Sequence, residues 1–289
     1  MKRFLLSFRR QGAVTPDQPV TPSGSDLVEL GILTKQISEF SNSDIGTEVS
    51  IHYSNEGSGI SGPIIFEVVG VNHHVTTEYP QTITLMTKNI IRLAAFDAAE
   101  PDNSDSNRKS GGNNRWSVSN IRQWLNSDGA AGSWWSAQHE YDAPPTSGNV
   151  SKADGAYADA PGFLAGFSAD ILQHFTDITN TTALHTLDNG GSSGGSEETV
   201  DKVFLPSYTE MGLGNNGNVA EGTHLSVRYP DDNSRRKFVT GAQGSYWLRS
   251  PDTDSNNVKR IITISGRPNY LSNKAYSGQD GIAPIIVLH

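Results

Sequence analysis

Two short apolar runs near the end of the chain limit what it can fold into: GSYWLRSP at residues 244–251 and GIAPIIVL at residues 281–288. The first sets Tyr246, Trp247 and Leu248 against one charge, Arg249, and stops at a proline. The second ends on Ile285, Ile286, Val287 and Leu288 without a polar break. Runs this short and this apolar read as buried strands bounded by turn residues. About thirty residues rich in Asn, Ser, Asp and Tyr lie between them and hold one further strand-like run, residues 258–264. A stiff frame on both sides of a polar segment is how a binding surface is built.

The remaining chain supplies scaffold around these runs. Its 289 residues suffice for one large domain or two modest ones. With 29 Gly, 14 Pro and only 35% hydrophobic residues, a loop-rich fold is expected over a helical bundle. A net charge of −9 argues against nucleic-acid binding, which needs a basic face. The absence of Cys removes disulfides, thiol catalysis and Cys-ligated metal centres.

Residues 1–10 (MKRFLLSFRR) resemble a signal peptide only briefly. Their apolar core is interrupted by Ser7 and then by Arg9 and Arg10, so residues 1–25 read as a basic arm and flexible linker. No run is long enough to span a membrane. Residues 26–45 hold an expected amphipathic helix, capped by Ser25 or Asp26, with Leu30, Leu33, Ile37 and Phe40 on one face. That stripe either docks on the main domain or meets copies of itself in an oligomer. The main domain, residues 46–289, then opens with strand signals at 48–53, 63–71 and 81–87.

Two short helices are expected: one capped by Ser117 or Ser119 with Ile121, Trp124 and Leu125 inward, and one over residues 168–175 capped by Ser168. Residues 189–198 read as a flexible loop, 201–205 as a strand and 207–212 as a helical turn. The fold class is therefore α+β, a small regular scaffold carrying long loops.

No Gly-x-Ser-x-Gly elbow is present with its catalytic partners, and no Gly-x-Gly-x-x-Gly turn or phosphate loop opens a helix. His73 and His74 are adjacent, and neighbours on a strand face opposite ways, a poor arrangement for sharing a metal. Asp102 and Asp105 offer oxygens to calcium but lack the full ligand ladder, which leaves a solvated loop. Glu140 and Asp142 could pair for glycoside chemistry. Arg249 could recognise an acidic ligand, or tie its strand to an internal carboxylate.

The ordered motifs NRW (114–116), SNIRQWLN (119–126), AQH (137–139), PGFL (161–164), DKVFL (201–205), YWLRSP (246–251) and GIAP (281–284) resemble a family of domains from bacteria and their phages that is similar to C-type lectin-fold proteins. The resemblance covers roughly residues 47–288. It implies a C-type lectin-like domain with small antiparallel sheets, two short helices and long loops that carry the binding surface. Such domains occur on phage tail fibres, receptor-binding proteins and head decorations, and some relatives are diversified at Asn, Ser, Tyr and Asp positions. The chain departs from sugar-binding C-type lectins in having no calcium tripeptide, and from formylglycine-generating enzymes in having no Cys.

The resulting expectation is a non-enzymatic virion protein without cofactor. Residues 1–25 would engage capsid or tail proteins, the helix would assist homo-oligomerisation, and the domain would touch a host-surface glycan or protein. No contact with nucleic acid and no membrane insertion is expected. The ligand-binding residues implied are Trp247, Arg249, Asn256, Asn257, Asn269, Tyr270, Asn273 and Tyr276. A bacterial cell-surface or secreted binding module, or a glycan hydrolase using Glu140 and Asp142, are the alternatives.

Overall fold

The computed structural model describes residues 24–255, 257–262, 267–268 and 273–289. Among them the helices are short: α1 (Gly24–Glu29), α2 (Ser106–Gly111), α3 (Asn120–Leu125) and α4 (Ala169–Leu172). The strands in chain order begin with β1 (Glu48–Ile51), β2 (Ile64–Val71), β3 (Ile83–Thr87), β4 (Arg92–Leu93) and β5 (Ile178–Ala183). There follow β6 (Ser196–Asp201), β7 (Val203–Phe204), β8 (Phe238–Val239), β9 (Ala242–Gln243) and β10 (Tyr246–Pro251). The last are β11 (Asn257–Ile262), β12 (Arg267–Pro268), β13 (Asn273–Lys274), β14 (Gly281–Ile282) and β15 (Ile285–Leu288). The architecture is mixed α/β, with few helices and several small sheets, none of them closed.

The two C-terminal runs organise the two larger sheets. β15 lies inside a five-stranded sheet of order β1-β2-β3-β15-β7, antiparallel to β3 with Ile285 opposite Met86 and Leu288 opposite Ile83. All four of its side chains are fully buried, which is what an unbroken apolar run requires. At the sheet's edge β1 alternates exposed and buried residues instead. β10 is central to the second sheet, β12-β11-β10-β14-β4, where it pairs antiparallel with β11 and parallel with β14. In β14, Gly281 lies so close to Ile90 that a Cβ would come within 2.2 Å of its Cγ2. β5 and β6 form a separate hairpin, as do β8 and β9.

Four of the five tryptophans are core. Trp116, Trp124 and Trp247 are fully buried and Trp134 nearly so. Each indole N–H has an acceptor: Asp201 Oδ2 (3.1 Å), Pro161 O (2.8 Å), Ala94 O (2.8 Å) and Tyr157 O (3.3 Å), respectively. Ser119 caps α3 by accepting from the Arg122 N–H. Ser168 precedes α4 without a side-chain capping bond.

The N-terminal helix is much shorter than the expected span of residues 26–45. It ends at Glu29 because Gly31 adopts φ +70°. Ile32 N–H then donates to Leu27 O and Gly31 N–H to Val28 O, both at 2.9 Å, a Schellman stop that satisfies the last carbonyls. Leu33, Ile37 and Phe40 remain buried, but against this chain's own core, while Leu30 is 43% exposed. The apolar stripe is thus consumed within the chain rather than presented to another copy. Ser25 and Asp26, expected to precede the helix as its cap, stand within α1, and residues 1–23 of the basic segment lie outside the described residues. Residues 196–198 of the expected loop belong to strand β6.

Ile286→Ala should destabilise the protein by about 2–5 kcal/mol, because it leaves a cavity in a central strand. Urea unfolding at unchanged m value checks this.

Candidate functional site

The connection between β2 and β3 turns back through Asn72, which takes φ +50° and clasps Thr82: Asn72 N–H donates to Thr82 O, and Thr82 N–H to Asn72 Oδ1, each at 2.9 Å. Thr82 Oγ1 also donates to His74 O (2.6 Å). The clasp lifts His73 and His74 off the strand into a turn. Their rings meet edge to face at 4.7 Å instead of pointing to opposite faces of a strand, which corrects the expectation for this pair.

His74 is held at both ring nitrogens, Nδ1 to Thr84 Oγ1 (3.1 Å) and Nε2 to Glu210 Oε1 (3.2 Å). Glu210 is 1% exposed and receives the Arg249 guanidinium in a two-point contact, Nη1 to Oε2 (2.7 Å) and Nη2 to Oε1 (3.0 Å). Ser207 N–H adds a further bond to Oε2 (2.8 Å). Burial opposes ionisation of Glu210, but the Arg249 charge and His74 outweigh it and hold the carboxyl well below the usual range. Arg249 also donates to Leu205 O (2.9 Å) and Glu221 O (3.0 Å) and lies over the Phe204 ring at 5.6 Å.

Glu221, fully buried, accepts from Ala183 N–H (2.9 Å), Asn216 Nδ2 (3.3 Å) and the Ser250 hydroxyl. Burial, incompletely offset by those donors, pushes its carboxyl up. His73 is pushed down to about 4, first by burial and then by His74, so it is neutral at pH 7.

This set floors a hollow of about 740 Å³. One wall is residues 73–77, and the facing wall is residues 178–181 of β5, with Gly222 and Thr223 on the rim. The walls present hydroxyls, an amide and backbone together with the Val75 and Ile178 side chains and the His73 ring. The floor is electrically balanced, because the Arg249 and Glu210 charges cancel within it.

The residues expected from the sequence fall elsewhere or behind this floor. Trp247 is fully buried in the core, against Phe96 at 6.1 Å, and has no face for a ligand. Arg249 reaches the hollow only as the floor partner of Glu210, so of its two sequence readings the internal tie is the one present. Asn257 stands on β11, and its carbonyl accepts from Asp252 N–H (2.8 Å) and Asn114 Nδ2 (2.9 Å). Asn273 on β13 donates to Ser277 Oγ (2.8 Å) and Asp280 Oδ2 (2.7 Å). Tyr276 follows in the next turn, with Lys274 Nζ 5.8 Å from its ring centre. Asn256, Asn269 and Tyr270 lie outside the described residues. The Thr-lined strand β5 and Glu210 were missed. Arg249 next to a buried aromatic run was the available signal, since a buried guanidinium requires a carboxylate.

The Glu140 and Asp142 carboxylates do not converge on one cleft. Asp142 turns inward, accepting from Asn120 Nδ2 (3.1 Å) and Gln138 N–H (2.8 Å), while Glu140 is exposed. Burial, with Asp142 nearby, pushes Asp97 well above the usual carboxylate range. Asp97 accepts the Asn113 and Asn120 backbone N–H groups, both at 2.9 Å, and so fixes the start of α3. Asp105 caps α2 through the Asn107 and Arg108 N–H groups. Among the described residues, no group of three or more His, Asp or Glu is placed to hold a metal ion.

Residues 81–289 match a family described as a domain of unknown function, DUF6273. No curated protein and no solved structure matches the chain.

Glu210→Ala should cost about 3–5 kcal/mol in urea unfolding, because it strands a buried guanidinium. At His73 and His289 the pH dependence of stability has a definite sign. Burial pushes His73 to about 4 and, with His174, pushes His289 to about 4, against 6.5 for an ordinary His. At these two sites the unfolded chain binds more protons between pH 6.5 and about 4, so their contribution to stability falls as pH drops through that window, while the raised Asp97 and Glu221 carboxyls contribute with the opposite sign. Glu210 adds a further loss below 4.5, its ordinary value. His73→Asn should make the slope between pH 6.5 and 4 shallower, as read from urea midpoints across that range.

Proposed function

We propose that this chain, which belongs to the DUF6273 family, is a non-enzymatic phage virion protein that displays a C-type lectin-like domain for binding a host surface. The supporting observation is that the polar hollow's floor is already spoken for. Both nitrogens of His74 are bonded within the protein, and Glu210 is committed to Arg249. A general acid or base needs an atom that can give or take a proton within reach of substrate, and a group bonded on every side is poorly suited to that work. A fixed floor under hydroxyl-lined walls is suited to holding a ligand.

The lectin-like reading is supported by short helices set against small, mostly antiparallel sheets, and by long connections such as residues 207–237. Residues 1–25 carry four basic side chains and one acidic one, opposite in sign to a chain of net charge −9. That contrast suits docking on an acidic capsid or tail surface, where copies of the protein would project their domains outward.

Deletion of residues 1–25 should remove the protein from purified particles and leave the melting temperature of the remaining domain unchanged. Mass spectrometry of particles from a lysate of the carrying bacterium checks it. Undiminished incorporation contradicts the anchoring, and recovery in the cell envelope in place of particles favours a bacterial surface module.

A further inference from the structure

The hairpin of β5 and β6 has one edge that its own register leaves open. Ile178 opposes Asp201 and Ala183 opposes Ser196, and the same register carries on to Leu184, whose N–H donates to Gly195 O at 2.8 Å. In an antiparallel pair the residues alternate, so the even-numbered members of β5 spend their N–H and C=O groups on β6. The odd-numbered members point the other way. Ala183 N–H finds the Glu221 carboxylate at 2.9 Å. Two steps and four steps earlier, Thr181 and Thr179 turn their N–H and C=O groups away from β6 along the wall of the 740 Å³ hollow. Among the described residues none of these four groups meets a hydrogen-bond partner.

The hollow is also elongated. A second one of about 410 Å³ shares Thr76 and Thr77 with it and continues past Thr176 and Asp177. The two together follow residues 176–181, roughly 18 Å of extended chain at about 3.3 Å per residue. No Phe, Tyr or Trp among the described residues lines the first hollow, so a sugar ring would find no stacking face there. Charge varies along the trough. Its central floor is balanced, whereas the far end holds Glu78 and Asp177 beside His289 and Lys202, the last pairing with Asp177 at 3.1 Å.

We infer that the trough is a strand-acceptor site: an extended peptide adds to the open edge of β5 at Thr179 and Thr181. The peptide is uncharged at its centre and carries a basic residue toward the Glu78 end. Backbone bonding to a sheet edge supplies affinity and the side-chain positions supply selectivity. A two-stranded ribbon is marginal by itself, and a third strand completes it. The inference rests on reading the hollow as a binding site. It does not depend on the virion, so absence of the protein from particles would leave it standing.

The test uses the full chain and a library of acetylated, amidated heptapeptides, with the tightest sequence remade in two forms N-methylated on alternate amides. One alternation should weaken binding about tenfold or more, because those amides face β5, and the other should leave it unchanged. Thr179→Pro removes an N–H that β6 does not use, so the hairpin survives and peptide binding falls about tenfold. Val200→Pro, on the opposite edge of β6, should bind as the wild type does. Three results would overturn the inference: no peptide retained at concentrations on the order of 1 mM, equal binding by both N-methylated forms, or unimpaired binding by folded Thr179→Pro. Should Thr179→Pro fail to fold, the two N-methylated forms decide alone.

Discussion

The pair of Arg249 and Glu210 joins two parts of the chain that belong to different sheets. Arg249 sits on the central strand of one sheet and Glu210 in the turn after β7, which belongs to the other. Their bonds reach on to Leu205, Glu221, Ser207 and His74. Removing two such charges from water is costly, and the contact repays that only when nearly every donor and acceptor is met. At this site most are, with Arg249 Nε the exception. A pair of this kind fixes geometry more than it adds stability, and the geometry it fixes is the floor of the polar hollow.

A second junction works alongside it. Asp201, at the end of β6, accepts from the Trp116 indole (3.1 Å), Arg122 Nε (2.6 Å), Asn180 Nδ2 (3.2 Å) and Thr199 Oγ1 (2.7 Å). It fastens the β5–β6 hairpin to α3 and the tryptophan core. The hairpin is therefore anchored along one side and open along the other, which gives the hollow a rigid wall with unspent backbone groups.

Much of the scaffold was legible because local pattern and tertiary environment agree. The run from Ile285 to Leu288 has no polar break, and only a strand buried on both faces accommodates it. Ser119 precedes an apolar triad at helical spacing, and it caps α3. Where a single residue type overrides the pattern, reading failed. Leu30, Leu33, Ile37 and Phe40 keep helical spacing across Gly31, yet the left-handed glycine ends the helix and the last three residues are buried by an irregular path. β5 was missed because Ile178, Thr179, Asn180, Thr181 and Thr182 carry little apolar signal. Two of its four buried positions, Asn180 and Thr182, are polar residues whose burial depends on tertiary partners. The candidate site was legible only in Arg249, since a hollow assembled from residues 73–77, 178–181 and 210 has no local signature.

On the function proposed, the floor of the hollow is a fixed, ionised pair that supports structure and ligand rather than proton transfer. A carbon-detected nuclear magnetic resonance titration of Glu210 tests it most directly. This carboxyl should stay ionised at every pH at which the protein remains folded. A midpoint at or above 4.5, the ordinary glutamate value, would contradict it.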